Sequence, residues 1–126
     1  MLPRMRVLLA EDDDGLRTMF RIALSAAGFH VDEARDGIAA LRRIDADPPD
    51  AVILDIGLPL LSGVSVRKDL TAHAHTRDIP VLVVTGSTGH FEALNVNCVL
   101  RKPVSPEQVV DALRTCLQSG RSQRTT

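Results

Sequence analysis

An open α/β fold built on a parallel sheet is the class this sequence predicts, and three observations predict it. Short apolar runs, Val7-Leu8-Leu9-Ala10, Ala51-Val52-Ile53-Leu54 and Ile79-Pro80-Val81-Leu82-Val83-Val84, are continuous rather than alternating. Runs of that kind, rich in Val and Ile and too short for independent helices, read as strands covered on both faces. Amphipathic helical stripes fill the intervals between them. The resulting alternation, β-α-β-α-β-α-β-(α)-β-α, fits a parallel sheet with right-handed crossovers. Ligands of such sheets bind beyond the carboxyl ends of the strands.

The elements follow in order. After the first run, Leu16, Met19, Phe20, Ala23, Leu24 and Ala27 fall at helical spacing, with Arg17 and Arg21 on another face. Gly28 reads as a helix stop, and Phe29 to Ala34 as a second, weaker strand. Asp36-Gly37 starts a helix whose stripe is Ile38, Leu41 and Ile44. Past the second apolar run, Val64, Val66 and Leu70 mark a helix after Gly63. Cys98-Val99-Leu100-Arg101 reads as the last strand. Ser105-Pro106-Glu107-Gln108 then supplies an N-cap, a proline at the first helical position and an early acid, ahead of Val109, Val110, Leu113 and Leu117. The polar stretch Ser119 to Thr126 lacks periodicity and is expected to be a disordered tail, leaving residues 1–118 as a single domain.

Composition narrows the function. The chain has 126 residues, one domain's worth, with 15 Lys and Arg against 16 Asp and Glu and 44% apolar residues. Aromatic content is 2%, three phenylalanines (Phe20, Phe29, Phe91) with no Tyr or Trp. The core is therefore aliphatic, and a stacking platform for single-stranded nucleic acid is excluded. No basic stripe exists to neutralise a phosphate backbone, so no nucleic-acid partner is expected. Cys98 and Cys116 lack metal-ligand spacing and read as two buried thiols in a reducing compartment rather than a disulfide framework. The N-terminus offers neither a secretory nor a membrane-spanning segment, which makes a cytoplasmic location the expectation and a membrane partner unexpected. His73 and His75, spaced i and i+2, do not share a helix face and read as a solvated helix end. His90 and Phe91 read as a loop histidine and a core ring, with partner contacts the other reading. No P-loop, GxGxxG or CxxC motif appears, so nucleotide binding has no support.

The polar residues that end the strands carry the chemistry. The first strand ends in Glu11-Asp12-Asp13, the third in Asp55, the fourth in Thr85 and the fifth in Lys102. Taken singly, each has an ordinary reading: helix-capping acids, a turn residue, a strand threonine, a solvated lysine. Parallel topology, however, puts all these ends on one sheet edge, so residues 91 positions apart converge. Three carboxylates held together need a cation. Oxygen-only donors with few protein ligands suit Mg2+. A carboxylate nucleophile, a divalent metal, an ammonium and a hydroxyl together describe phosphoryl transfer onto an aspartate.

With those residues in place, the sequence resembles the receiver domain of two-component response regulators. The matching stretches are RVLLAEDDDGLR, DAVILDIGLPLLSG, PVLVVTGS and VLRKPVSPEQVVDAL, spread over residues 6 to 117. The resemblance implies a doubly wound, five-stranded parallel sheet in the order 2-1-3-4-5. It implies that Asp55 is the phosphoacceptor, charged from a phosphohistidine on a sensor histidine kinase or histidine phosphotransfer protein. Asp12 and Asp55 correspond to direct Mg2+ ligands, with the carbonyl of Gly57, and Glu11 to a residue acting mostly through water. Thr85 corresponds to the switch hydroxyl, Lys102 to the lysine that pairs with the phosphoryl group, and Lys102-Pro103 to a cis peptide. Gly86 keeps the approach to Thr85 open, and Pro59 and Gly63 shape the loop after Asp55.

Two departures stand out. Only 16 residues separate Thr85 from Lys102, which leaves room for a shortened fourth helix of one or two turns, about Gly89 to Leu94. Val99 stands where the family typically carries an aromatic ring, so the expected readout of phosphorylation passes through that shortened, mobile helix. The expectation is a stand-alone receiver, not an enzyme in the ordinary sense, that signals by binding a downstream protein not identified by the sequence. The alternatives are a degenerate receiver acting as a phosphorylation-independent interaction module, and a phosphohydrolase of the haloacid dehalogenase kind. The latter class needs a second Asp where Gly57 stands.

Overall fold

Five strands form one sheet: β1 (Arg6–Ala10), β2 (His30–Ala34), β3 (Ala51–Leu54), β4 (Val81–Thr85) and β5 (Cys98–Arg101). Their order is β2-β1-β3-β4-β5 and every pairing is parallel. Four helices accompany them among the described residues: α1 (Asp14–Ala26), α2 (Gly37–Ala46), α3 (Gly63–Ala72) and α4 (Pro106–Arg124). The computed structural model describes residues 4–86 and 98–124. The shortened fourth helix, His90 and Phe91 all lie outside the described residues.

Alternation of side chains across the pleat explains why the central strands are apolar throughout. Val7, Leu9, Ala51, Ile53, Leu82 and Val84 bury into a cluster with Phe20 and Leu24 of α1 and Val109 and Leu113 of α4. Leu8, Ala10, Val52, Leu54, Val81 and Val83 bury on the opposite face with Ala40 and Ile44 of α2 and Val66 and Leu70 of α3. Val99 packs against this second cluster, where the family carries a ring.

Capping residues set the helix starts. Asp13 accepts from Leu16 N at 2.9 Å, Asp36 from Ala39 N at 2.7 Å and Ser62 from Ser65 N at 3.2 Å. Ser105 and Gln108 form a reciprocal capping box, with bonds of 2.7 and 3.1 Å. Gly28 adopts φ 101°, a left-handed conformation that ends α1. The Lys102–Pro103 bond is cis, as the resemblance implies. His73 and His75 are exposed at the end of α3, and His73 Nδ1 is bonded to the Asp69 carbonyl at 2.8 Å.

Several expectations are corrected. On α1, Met19 is 48% exposed while Arg17 is buried beside Phe20 and Leu24; the arginine stem fills the core face because its head finds partners. On α2, Ile38 is exposed and Gly37, Ala40 and Ile44 form the buried stripe. The last helix runs from Pro106 to Arg124, past the end of its apolar stripe. Once the capping box and buried stripe nucleate α4, each further residue adds a backbone bond without needing an apolar face. Finally, Cys98 and Cys116 are joined by a disulfide, with Cα atoms 5.9 Å apart, rather than standing as two separate thiols. Chain spacing could not show that the first residue of β5 packs beside the third turn of α4. No helix among the described residues is long and apolar enough to cross a membrane.

Candidate functional site

Sheet register places the site. Ala10 aligns with Leu54 across β1 and β3, and Thr85 with Arg101 across β4 and β5. The ladder then runs one residue further: Glu11 N donates to Ala34 O at 3.0 Å, Asp55 N to Ala10 O at 3.1 Å and Lys102 N to Thr85 O at 3.0 Å. Glu11, Asp55 and Lys102 are thus held by backbone bonds just beyond the carboxyl edge. The crevice lies between β1 and β3, where the strand order reverses.

The five side chains predicted to converge do so. Lys102 Nζ lies 2.6 Å from Glu11 Oε1 and 3.0 Å from Asp55 Oδ2. Asp55 Oδ1 accepts from Gly57 N at 3.0 Å, and Thr85 lies near enough to the same carboxylate to favour its charged form. Carboxylate oxygens of Glu11, Asp12 and Asp55 all lie within 4.8 Å of one another. Glu11, Asp55 and Thr85 are buried, while Asp12 is exposed and opens the cluster to solvent. Gly57 is exposed and donates its amide to Asp55.

Burial and pairing pull these groups in opposite directions. For Asp55, burial raises the pKa, but the Gly57 amide, the Lys102 ammonium and the Thr85 hydroxyl outweigh it and hold the carboxyl below its ordinary value. Glu11 goes the other way: burial, with the charge of Asp55, raises it despite Lys102 and the Asp13 amide. For Lys102 burial lowers the pKa, and its bonds to Glu11 and Asp55 more than reverse this, so the side chain is cationic at neutral pH. Three carboxylates face one ammonium. That donor set, all oxygen and net negative, suits a hard divalent cation.

Supporting residues lie just outside. A Cβ on Gly63 would fall 2.4 Å from the Asp55 carbonyl oxygen and 2.7 Å from Ile56 Cα, so only glycine lets α3 begin against the backbone of Asp55. Arg17, 8% exposed, donates from Nη1 to the Glu11 carbonyl at 2.9 Å and also pairs with Asp14 and Glu33. It ties the acidic turn to α1 and β2. Sequence reasoning missed this role because an arginine was assigned to the solvent face; the signal available was its i, i+3, i+7 spacing with Phe20 and Leu24.

A family model described as the response regulator receiver domain matches residues 7–114. The chain belongs to that family. Response regulator MprA of Mycobacterium avium (strain 104) is 34% identical over 119 residues, covering 90% of this chain and 51% of the relative. The chain thus spans about half the length of the curated relatives it matches. Among solved structures, the chemotaxis response regulator CheY4 of Vibrio cholerae is 26% identical with a TM-score of 0.84, covering 90% of this receiver and 99% of that chain. A response regulator described as putative from Chloroflexus aurantiacus J-10-fl is 30% identical with a TM-score of 0.83, covering 92% and 99%. Receivers are signalling phosphoacceptors of two-component systems rather than ordinary enzymes, interact with sensor histidine kinases, and bind Mg2+ at an acidic site.

Proposed function

We propose that this receiver accepts a phosphoryl group on Asp55 from a phosphohistidine of a sensor histidine kinase or histidine phosphotransfer protein. The observation that carries the reading is the bridging ammonium of Lys102, 2.6 Å from Glu11 and 3.0 Å from Asp55. Asp55 is ionised at neutral pH and offers a carboxylate oxygen as nucleophile. Asp12, Asp55 and the Gly57 carbonyl would hold Mg2+, with Glu11 behind them. Bound there, the ion supplies charge neutralisation for the phosphoryl oxygens. Lys102 and Thr85 supply the remaining donors to those oxygens.

The modified domain then signals through contacts with a downstream protein in the cytoplasm. The test is transfer of labelled phosphate from a phosphorylated sensor kinase. Wild type should take up label in Mg2+ and lose that capacity on chelation, and Asp55→Asn should take up none. Labelling of the Asn variant at the wild-type rate refutes the assignment. Failure of wild type to bind beryllofluoride with Mg2+ would identify a degenerate receiver instead.

A further inference from the structure

Strand β5 is thinly covered. It is an edge strand, paired only with β4, and its residues are partly buried or exposed where every residue of β4 is buried. One end delivers Lys102 to the site, and the other begins with Cys98. Cys116 closes the buried stripe Val109, Val110 and Leu113 on α4, and its Sγ lies 3.9 Å from the Val81 carbonyl. The two Cα atoms are 5.9 Å apart and the residues 18 positions apart. Disulfides form within such separations without moving the backbone. Cys116 is 5% exposed, whereas Cys98 is only partly buried, so Cys98 is the more accessible residue of the pair. That asymmetry suits exchange through a mixed disulfide at Cys98, resolved by Cys116.

We propose that Cys98 and Cys116 constitute a reversible thiol–disulfide site, through which the surrounding redox poise sets how firmly β5 is held on α4. The oxidant class is a low-molecular-weight disulfide such as oxidised glutathione. A Cys98 thiolate, having released its proton, attacks one glutathione sulfur and expels the other as thiolate. Cys116, deprotonated in turn, attacks the Cys98 sulfur and expels the second glutathione. One S–S bond breaks and one forms; two electrons pass from the protein pair to glutathione, whose two thiolates take up the two protons. The site is independent of phosphoryl chemistry at Asp55. Its effect falls on the strand that carries Lys102, so it is a second input to the same domain.

The test equilibrates the wild-type chain in mixtures of reduced and oxidised glutathione, quenches with an alkylating reagent and weighs the intact protein. Two alkyl groups are expected in the reduced limit and none in the oxidised limit, with both thiols changing together. Closing a loop of this size should raise the melting temperature on oxidation by about 10–12 °C. Hydrogen exchange across residues 98–101 and 106–118 should slow in the oxidised form, whereas Cys116→Ser should gain one glutathione on Cys98 in oxidising buffer without that slowing. Because the wild-type chain in two buffers carries the comparison, a variant that fails to fold does not rescue the idea. A pair that never oxidises overturns it. So does a bridge that survives excess reduced glutathione in the native state, or oxidation that leaves melting and exchange unchanged.

Discussion

Replacing Lys102 by methionine keeps most of the stem's volume and removes the ammonium, so it isolates the charge. Nζ sits 2.6 Å from Glu11 and 3.0 Å from Asp55, and the side chains of lysine, glutamate and aspartate are 20%, 3% and 10% exposed. Removing one partner of a buried ion pair costs about 3–5 kcal/mol, because the other charge is left unpaired. Here the lysine keeps a fifth of its surface and the cluster opens to water at Asp12, so screening lowers the expected loss to about 2–3 kcal/mol at pH 7 without divalent cation. The pH dependence has a definite sign. In wild type Asp55 is held below 3.8, so its contribution is intact above that value and is lost as pH falls through the lower folded value. In the variant both carboxyl groups lose the neighbour that lowers them, and both folded values rise. Raised acids favour folding below their unfolded values and lose that advantage as pH rises through the folded ones. The deficit is therefore largest at neutral pH and shrinks towards about pH 4. Saturating Mg2+ shrinks it too, since a site relieved of its ammonium binds the cation more tightly and the folded state gains accordingly. Urea denaturation of both proteins, at neutral and acid pH and with chelator or Mg2+, reads all of this. A loss below about 0.5 kcal/mol at pH 7, or a deficit that grows on acidification, refutes the electrostatic account.

The neighbouring residues give sharper structural tests. Gly63→Ala forces a Cβ to 2.4 Å from the Asp55 carbonyl and should cost about 2–4 kcal/mol in urea melts, whereas Gly57→Ala, whose Cβ meets only Asp55 Oδ1 at 3.7 Å, should change stability by less than about 0.5 kcal/mol. Leu60, at φ 68° and 75% exposed, holds a left-handed conformation without packing in return, so Leu60→Gly should stabilise the domain by about 0.5–1 kcal/mol in the same assay. Arg17→Met leaves the Glu11 carbonyl without its buried donor and should cost about 1–3 kcal/mol. It should also weaken Mg2+ binding, measured by calorimetry, because the acidic turn loses its tie to β2; unchanged affinity would confine Arg17 to a structural role.

Legibility in the sequence followed what each residue type reports. β1, β3 and β4 are apolar on both faces, so their runs named a doubly covered parallel sheet without help from neighbours. Glu11, Asp55, Thr85 and Lys102 were legible because each ends a strand, and parallel strands share one terminal edge. What was not legible depended on phase or on partners. Met19 and Arg17 differ by two positions on α1, and hydropathy assigned them to the wrong faces, since burial of an arginine depends on acceptors elsewhere in the chain. The Cys98–Cys116 bridge depends on the rotation of α4 against β5, which spacing along the chain does not encode. The continuation of α4 to Arg124 depends on helix propagation and leaves no apolar signature.

Charge balance explains why only one edge of the sheet calls for a ligand. At the amino edge, Arg6 pairs with Asp32 at 3.2 Å and Asp47 at 2.9 Å, and Arg43 reaches Asp32 at 3.7 Å. Two guanidinium groups meet two carboxylates, and the cleft of about 320 Å³ that they line with His30 and Pro49 is electrically closed on itself. At the carboxyl edge, Glu11, Asp12 and Asp55 meet the single ammonium of Lys102. The excess there cannot be relieved by protonating Asp55, whose bonds to Gly57 and Lys102, with Thr85 nearby, keep it ionised. A cation from solution would relieve it, and the exposed carboxylate of the cluster, Asp12, lies on the open side. Both edges are rich in charge; only the imbalance at the carboxyl end distinguishes a binding site from a surface salt-bridge network.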